Sequence, residues 1–161
     1  MHHCFPPVTR PDTRLLLLGS LPGAVSLQQQ RYYAHPQNLF WRLMSAVIGR
    51  ELVPLAYGDR LNALLDAKIG LWDTVAAANR AGSLDAAIRL HEASDLAAFV
   101  TTLPELRAIG FNGATSAKIG RRQLGPAPEL ALLDLPSSSP AYASLSFTKK
   151  RESWLRLAAY L

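Results

Sequence analysis

Four short runs in this chain carry apolar residues at consecutive positions: Arg14-Leu15-Leu16-Leu17-Leu18-Gly19, Ile69-Gly70-Leu71-Trp72-Asp73, Leu106-Arg107-Ala108-Ile109-Gly110-Phe111-Asn112 and Leu130-Ala131-Leu132-Leu133-Asp134-Leu135. A run without alternation reads as a strand covered on both faces, the situation of a parallel sheet. Helical spacing of apolar positions predicts helices over Asn38 to Ile48, Tyr57 to Ala67, Ser94 to Leu103, Thr115 to Leu124 and Lys149 to Leu161. Strands that alternate with helices predict an α/β fold, with right-handed crossovers around a mainly parallel sheet of about four strands and helices on both faces. Binding loops then gather at the carboxyl ends of the strands, which puts the turn after Gly19 and the loop from Pro136 on one edge of the sheet. The Pro126-Ala127-Pro128 and Pro136-Ser137-Ser138-Ser139-Pro140 stretches are too short to act as linkers, so residues 1–161 are expected to form a single domain.

Composition narrows the class. With 161 residues, 49% hydrophobic and 18% charged, the chain has the make-up of an ordinary packed domain. No apolar run approaches the roughly 18 residues of a membrane span, and Met1-His2-His3-Cys4-Phe5-Pro6-Pro7 lacks the pattern of a secretory signal. The expectation is a soluble, cytoplasmic protein that acts as a monomer. Cys4 is the sole cysteine, which excludes an intramolecular disulfide and a cluster held by several thiolates of this chain. His2, His3 and Cys4 are too close in sequence to build a tetrahedral site, so neither a metal nor a cofactor is expected. Seventeen basic residues against twelve acidic ones give a formal charge of +5, a balance that suits a polyanionic partner, although charge alone also fits basic proteins that never meet nucleic acid.

Three segments carry candidate chemistry. Gly19-Ser20-Leu21-Pro22-Gly23 is a tight turn whose glycines let backbone approach a ligand closely. Tyr32-Tyr33-Ala34-His35-Pro36-Gln37-Asn38-Leu39-Phe40-Trp41-Arg42 sets aromatics, an imidazole and two amides before a helix N-terminus, where unpaired N–H groups favour anions. Leu135-Pro136-Ser137-Ser138-Ser139-Pro140-Ala141 offers hydroxyls and backbone amides between prolines, the groups that grip a phosphate. Each also has an ordinary structural reading: a turn, packing aromatics and a solvated loop.

It is the combination, in this order, that discriminates. Gly19-Ser20-Leu21-Pro22-Gly23 resembles motif one of the uracil-DNA glycosylase superfamily, and Pro136-Ser137-Ser138-Ser139-Pro140-Ala141 resembles motif two. Ala34-His35-Pro36-Gln37-Asn38-Leu39-Phe40-Trp41 closely resembles the Ala-His-Pro-x-Asn-x-Phe-Trp run of mismatch-specific uracil-DNA glycosylases. The variant forms of both motifs, with Trp72-Asp73 and Arg80-Ala81-Gly82-Ser83-Leu84-Asp85, resemble the hypoxanthine-DNA glycosylase branch. The likeness runs from about Phe5 to Trp154.

This resemblance implies a three-layer α/β/α fold and a monofunctional, cofactor-free DNA glycosylase that hydrolyses the N-glycosidic bond of a deaminated base, hypoxanthine first, in base excision repair. The mismatch-specific relatives carry an asparagine before the motif-one proline, where this chain has Leu21. The branch resemblance moves the catalytic amide to Asn38, whose ordinary reading is a helix cap. The same resemblance puts Gly19, Ser20 and Leu21 at the base edge and Tyr33 against the face of the extruded base. Ser137, Ser138, Ser139, Pro140 and Ala141 are implied phosphate contacts, Tyr142 a wedge in the vacated stack and Lys149 a further phosphate contact within the basic run Lys149-Lys150-Arg151. His35 stands open between an acid or electrophile and a structural turn residue. Lys118 is expected to touch phosphate or solvent rather than form a Schiff base. Two other functions remain open at this point: excision of uracil or another mismatched deaminated base, and a catalytically silent module that binds nucleic acid through the same loops.

Overall fold

The computed structural model describes residues 2–3, 5–20, 23–74, 77–78, 96–126 and 129–161. Two short pieces, β1 (His2–His3) and β4 (Ala77–Ala78), pair antiparallel. The central sheet is built from β2 (Leu15–Gly19), β3 (Ile69–Asp73), β5 (Ala108–Asn112) and β6 (Ala131–Leu135), all parallel, in the order β3-β2-β5-β6. The apolar runs thus form the strands they predict, trimmed at their ends. Arg107, for example, donates its N–H to the Arg14 carbonyl just outside the ladder.

Side chains of a strand alternate between faces, and β2 shows what an unbroken leucine run accomplishes. Leu15 and Leu17 enter one core, with Phe40, Leu43 and Met44 of α2 (Phe40–Ile48), Leu64 of α3 (Tyr57–Asp66) and Trp154 of α6 (Phe147–Trp154). Leu16 and Leu18 enter the other, with Ile109 and Phe111 of β5, Leu96 of α4 (Leu96–Val100) and Ala117 of α5 (Ala114–Leu124). All four leucines are fully buried, each worth about 1.5–3 kcal/mol. Helix α5 lies close on the sheet because Gly120 has no side chain; a Cβ there would meet the Phe111 ring at 2.4 Å. Helices on both faces of a parallel sheet make the three-layer α/β/α arrangement the sequence predicts.

The helices differ from expectation at their ends. The chain forms α1 (Ala24–Gln29), closed by Gln30 in the left-handed region, where no helix is predicted. Helix α2 begins at Phe40 rather than Asn38: Leu39 is its N-cap residue, and the Asn38 side chain accepts the Phe40 N–H from just outside the helix. Helix α6 starts earlier than Lys149, capped by the Ser146 hydroxyl on the Lys149 N–H, and passes into a 3-10 turn at Leu155–Tyr160. The start of the predicted Ser94 to Leu103 helix and the Arg80 to Asp85 segment lie outside the described residues. Among the described residues no helix is long and apolar enough to cross a membrane.

Register fixes the geometry of the edge. Gly19 pairs with Asp73, and Asn112 pairs with Leu135, so the ends of all four strands lie along one carboxyl edge.

Candidate active site

Local hydrogen bonds hold the 32–40 loop over that edge. Tyr32 is buried; its N–H donates to the Tyr57 hydroxyl (2.8 Å) and its hydroxyl donates to the Pro6 carbonyl (3.1 Å). Tyr33 takes φ +52°, a left-handed conformation that costs a tyrosine of order 1 kcal/mol and turns the chain sharply. The Ser26 hydroxyl of α1 accepts the next N–H, that of Ala34, at 3.0 Å. Tyr33 stacks one ring face on Phe40, with centroids 3.8 Å apart and planes 12° apart. The Asn38 carboxamide oxygen accepts the Phe40 N–H at 2.9 Å, which fixes the plane of the amide at the start of α2. His35 accepts the Gln37 N–H on Nδ1 (3.0 Å), so its imidazole is oriented by its own turn.

The ends of the strands supply the floor. Asp73, the last residue of β3, is 3% exposed, and burial pushes its carboxyl up to about 7. Gly19, its neighbour in register, makes room for it: a Cβ at Gly19 would lie 2.8 Å from Asp73 Oδ1 and 3.5 Å from the Tyr33 hydroxyl. Burial first, and the Asp73 carboxyl second, raise the Tyr33 phenol well above its usual value. Asn112, the last residue of β5, clamps the motif-two loop at two points, donating Nδ2–H to the Ser138 hydroxyl and accepting the Ser138 N–H on Oδ1, each at 2.9 Å. The Ser138 carbonyl accepts the Leu39 N–H at 3.0 Å, so the 32–40 loop, β5 and the 136–142 loop are tied together through one serine.

Together these elements enclose a cavity of about 350 Å³, within the range of small-molecule sites. Gly19, Ser20, Tyr33, His35, Asn38, Ser137, Ser138, Ser139 and Pro140, all read as site residues from sequence, line it. Leu21 lies outside the described residues. Ser138 is 1% exposed, with its polar groups turned inward, so the hydroxyls of the loop nearer solvent are those of Ser137 and Ser139. Their oxygens accept the N–H groups of Ser139 and Ala141 in successive short turns. Ala141 and Tyr142 are exposed, and Tyr142 lines a separate cleft with Lys118 and Arg121. Lys149 is exposed on α6, 3.7 Å from Glu152, and is not among the residues around the cavity. Lys150 departs from the phosphate contact read from its basic run: it is 1% exposed and its ammonium donates to the Tyr142 carbonyl at 2.6 Å. Among the described residues no group of three or more His, Cys, Asp or Glu side chains could hold a metal.

Sequence reasoning did not single out Asp73 and Asn112 as site residues. The signal for both was a polar residue closing an apolar strand run, at the end where α/β folds place their ligands.

Chemically, the cavity presents neutral amides, hydroxyls, an aromatic face and one buried carboxyl, beside a basic surface. That set can grip a flat heterocycle and steer a water molecule without a strong base.

Comparison with known proteins agrees with this chemistry. The model of the uracil DNA glycosylase superfamily matches residues 6–160. A hypoxanthine DNA glycosylase of Methanosarcina acetivorans is 40% identical over 149 residues, 92% of each chain. A hypoxanthine DNA glycosylase of Methanosarcina barkeri is 43% identical over 114 residues, 71% of this chain and 72% of the relative. A solution NMR structure of a proposed uracil DNA glycosylase from Methanosarcina acetivorans superimposes with a TM-score of 0.84 at 36% identity, covering 98% of this chain and 96% of that one.

Proposed function

This chain belongs to the uracil DNA glycosylase superfamily and is a DNA glycosylase, and we propose that its substrate is hypoxanthine in DNA, released by a monofunctional hydrolysis in which Asn38 handles the attacking water. The observation that carries the reading is the Asn38 carboxamide, held by the Phe40 N–H at the mouth of α2 and lining the same cavity as Tyr33, Asp73 and Asn112. The names of the two curated relatives support the choice of base.

Cleavage of the glycosidic bond builds positive charge on the sugar and negative charge on the departing base. A base inside a duplex must first be swung out, at a cost of a few kcal/mol that is lower at a mismatch. Tyr33 offsets part of that cost: Phe40 covers one face of its ring, and the base stacks on the other, a contact worth about 1–3 kcal/mol. With the Asn38 oxygen engaged by the helix, its Nδ2–H₂ remains to hold the water or the developing negative charge, beside the partial positive end of α2. Gly19 and Ser20 approach the base edge with backbone, and Ser137, Ser139 and the amides of their loop take the flanking phosphates. Lys118 is exposed on α5 and lines the Tyr142 cleft, which suits a phosphate contact and not a Schiff base in the cavity. The protein works as a cytoplasmic monomer on damaged duplexes.

The test is a single-turnover assay on labelled duplexes containing deoxyinosine, deoxyuridine or deoxyxanthosine, followed by alkaline cleavage at abasic sites. Deoxyinosine is expected to react fastest. Asn38→Ala is expected to slow the reaction by about 10²–10³ while costing the fold only about 1 kcal/mol from the lost hydrogen bond to the Phe40 N–H. Unchanged base release by this variant would reject the assignment of Asn38; faster release of uracil would reassign the substrate.

A further inference from the structure

We propose that a second cleft, across the 32–38 loop from the cavity, seats a phosphodiester of the damaged strand beside the extruded nucleotide. The inference rests on the glycosylase reading above and extends it to how the strand is held.

The cleft has a volume of about 360 Å³ and lies between the 32–38 loop, the start of α2 and the chain from Val53 to Arg60. Its charge is one-sided. Arg31, Arg42 and Arg60 line it together with His35, and none of the described lining residues is a carboxylate. Elsewhere in the molecule Arg10 and Arg121 are ion-paired, with Asp66 and Asp134. The ion pairs among the described residues include none of the three arginines of the cleft. Like charges gathered without a counter-charge repel one another, and a bound anion reverses that cost.

The guanidinium groups are also held in place. Arg31 lies over the Tyr57 ring and Arg60 over the Trp41 ring, each 5.4 Å from the centroid, and Arg42 lies 4.1 Å from the centroid of Phe147. Stacking fixes the plane of a guanidinium and leaves its N–H edge outward, the edge that meets phosphate oxygens in pairs. Arg60 spends two of its donors on the Leu55 carbonyl (3.0 Å) and the Val53 carbonyl (2.5 Å). Arg31 and Arg42 make ring contacts but no side-chain hydrogen bond among the described residues, so their donors remain for a ligand. The rings serve as supports for the cations rather than as platforms for a base. Trp41 is buried, Tyr57 crosses it at 88°, and the Tyr57 hydroxyl already accepts the Tyr32 N–H. The cleft therefore suits the backbone of a nucleic acid and not its bases.

Its place in the fold selects the damaged strand. Tyr33, His35 and Asn38 line both hollows, so a single loop separates the arginines from the space for the base. A nucleotide whose base enters the cavity carries a phosphate on each side of its sugar. One of these, crossing the loop, meets Arg31 and Arg42. Such a contact reads no base, but it fixes the register of the strand once the base is inside.

The test measures binding to a duplex with one 2′-fluorinated deoxyinosine, whose glycosidic bond resists hydrolysis, in wild type, Arg31→Gln, Arg42→Gln and Arg31→Lys. Each phosphate flanking the lesion is replaced in turn by an uncharged methylphosphonate. Wild type is expected to lose up to about fivefold in affinity at the phosphate that occupies the cleft. Each glutamine variant should lose a similar amount on the unmodified backbone, with a salt slope shallower by about one, and should lose nothing more at that phosphate. Arg31→Lys keeps the charge and should keep the slope. In an undamaged duplex, where no base fixes the register, no single phosphate should stand out. Glutamine variants as sensitive as wild type at every phosphate would overturn the proposal, and urea unfolding of the same variants shows whether they are folded. Excision from an ordinary deoxyinosine duplex by wild type, run in parallel, tests the reading beneath. Excision without the phosphate coupling removes the cleft alone, whereas no excision removes the glycosylase reading.

Discussion

Asp73 and Lys150 are both ionisable and both buried near the carboxyl edge of the sheet, and they are buried in different ways. Lys150 on α6 directs its ammonium at the Tyr142 carbonyl, 2.6 Å away, with the Tyr142 ring 5.1 Å from the nitrogen. Asp73 lines the cavity from the end of β3, with its Oδ2 shut off from solvent. Burial lowers the lysine and raises the aspartate, the shared physics of removing a charge from water. The difference is in the surroundings: Lys150 is a brace that holds the chain carrying Tyr142 against α6, whereas Asp73 belongs to the wall of the cavity. A buried ionisable group therefore marks a site only when a cavity lies beside it.

The strongest way to break this contrast is to follow stability against pH in Asp73→Asn. Between the unfolded value near 3.8 and the folded value near 7 the folded chain holds a proton that the unfolded chain has released. The unfolded state then binds fewer protons, and wild-type stability falls as pH rises through that window. Asparagine removes the titration. Relative to wild type the variant is expected to gain stability from pH 4 to pH 7, by up to about 4 kcal/mol, and to hold that gain at higher pH. Urea unfolding at pH 4, 6 and 8 measures it; a constant difference between the two proteins would mean that Asp73 titrates as an ordinary carboxylate.

Lys150→Met sharpens the other side. Methionine keeps much of the apolar stem but leaves the Tyr142 carbonyl without its donor, for an expected loss of about 1–3 kcal/mol by denaturant unfolding. Because Lys150 acts on the loop and not on the base, the variant should show a raised KM for the duplex with kcat nearly unchanged. A fall in kcat at unchanged KM in Lys150→Met would erase the distinction between brace and site.

These two residues also show how far the sequence reaches. The strands were legible because a leucine run with no polar interruption admits few other placements, and Asn38 and Tyr33 were legible through a resemblance on an eight-residue run. Helix α1 was not: Ala24-Val25-Ser26-Leu27-Gln28-Gln29 carries no repeating apolar stripe, and it is ended by a glutamine in the left-handed region rather than by glycine. Lys150 sits between Lys149 and Arg151, and a run of three cations reads as a wet face; only the docking of α6 against the 136–142 loop shows that the middle one is inside. Asp73 is polar at a strand end, which marks an edge, but the depth of its burial depends on Gly19 and Tyr33, far away in sequence. Ser138 is the same kind of case, since its hydroxyl is taken by Asn112, 26 residues earlier.

The smallest expected effect on stability belongs to Lys149, and it separates two readings of an exposed cation beside the buried one. Its ammonium lies 3.7 Å from Glu152 with both side chains about two-thirds exposed, 66% and 62%. A pair of that kind is worth roughly 0–1 kcal/mol, so Lys149→Ala is expected to leave unfolding nearly unchanged. A phosphate contact behaves otherwise: its loss releases one counterion fewer on binding, and the slope of log affinity against log salt becomes shallower by about one. Duplex binding titrated across salt concentrations is expected to show that change in slope, equally for damaged and undamaged DNA, because a phosphate contact carries no information about the base. An unchanged slope would confine DNA contact to the loops around the cavity and leave α6 with the structural work of Lys150 alone.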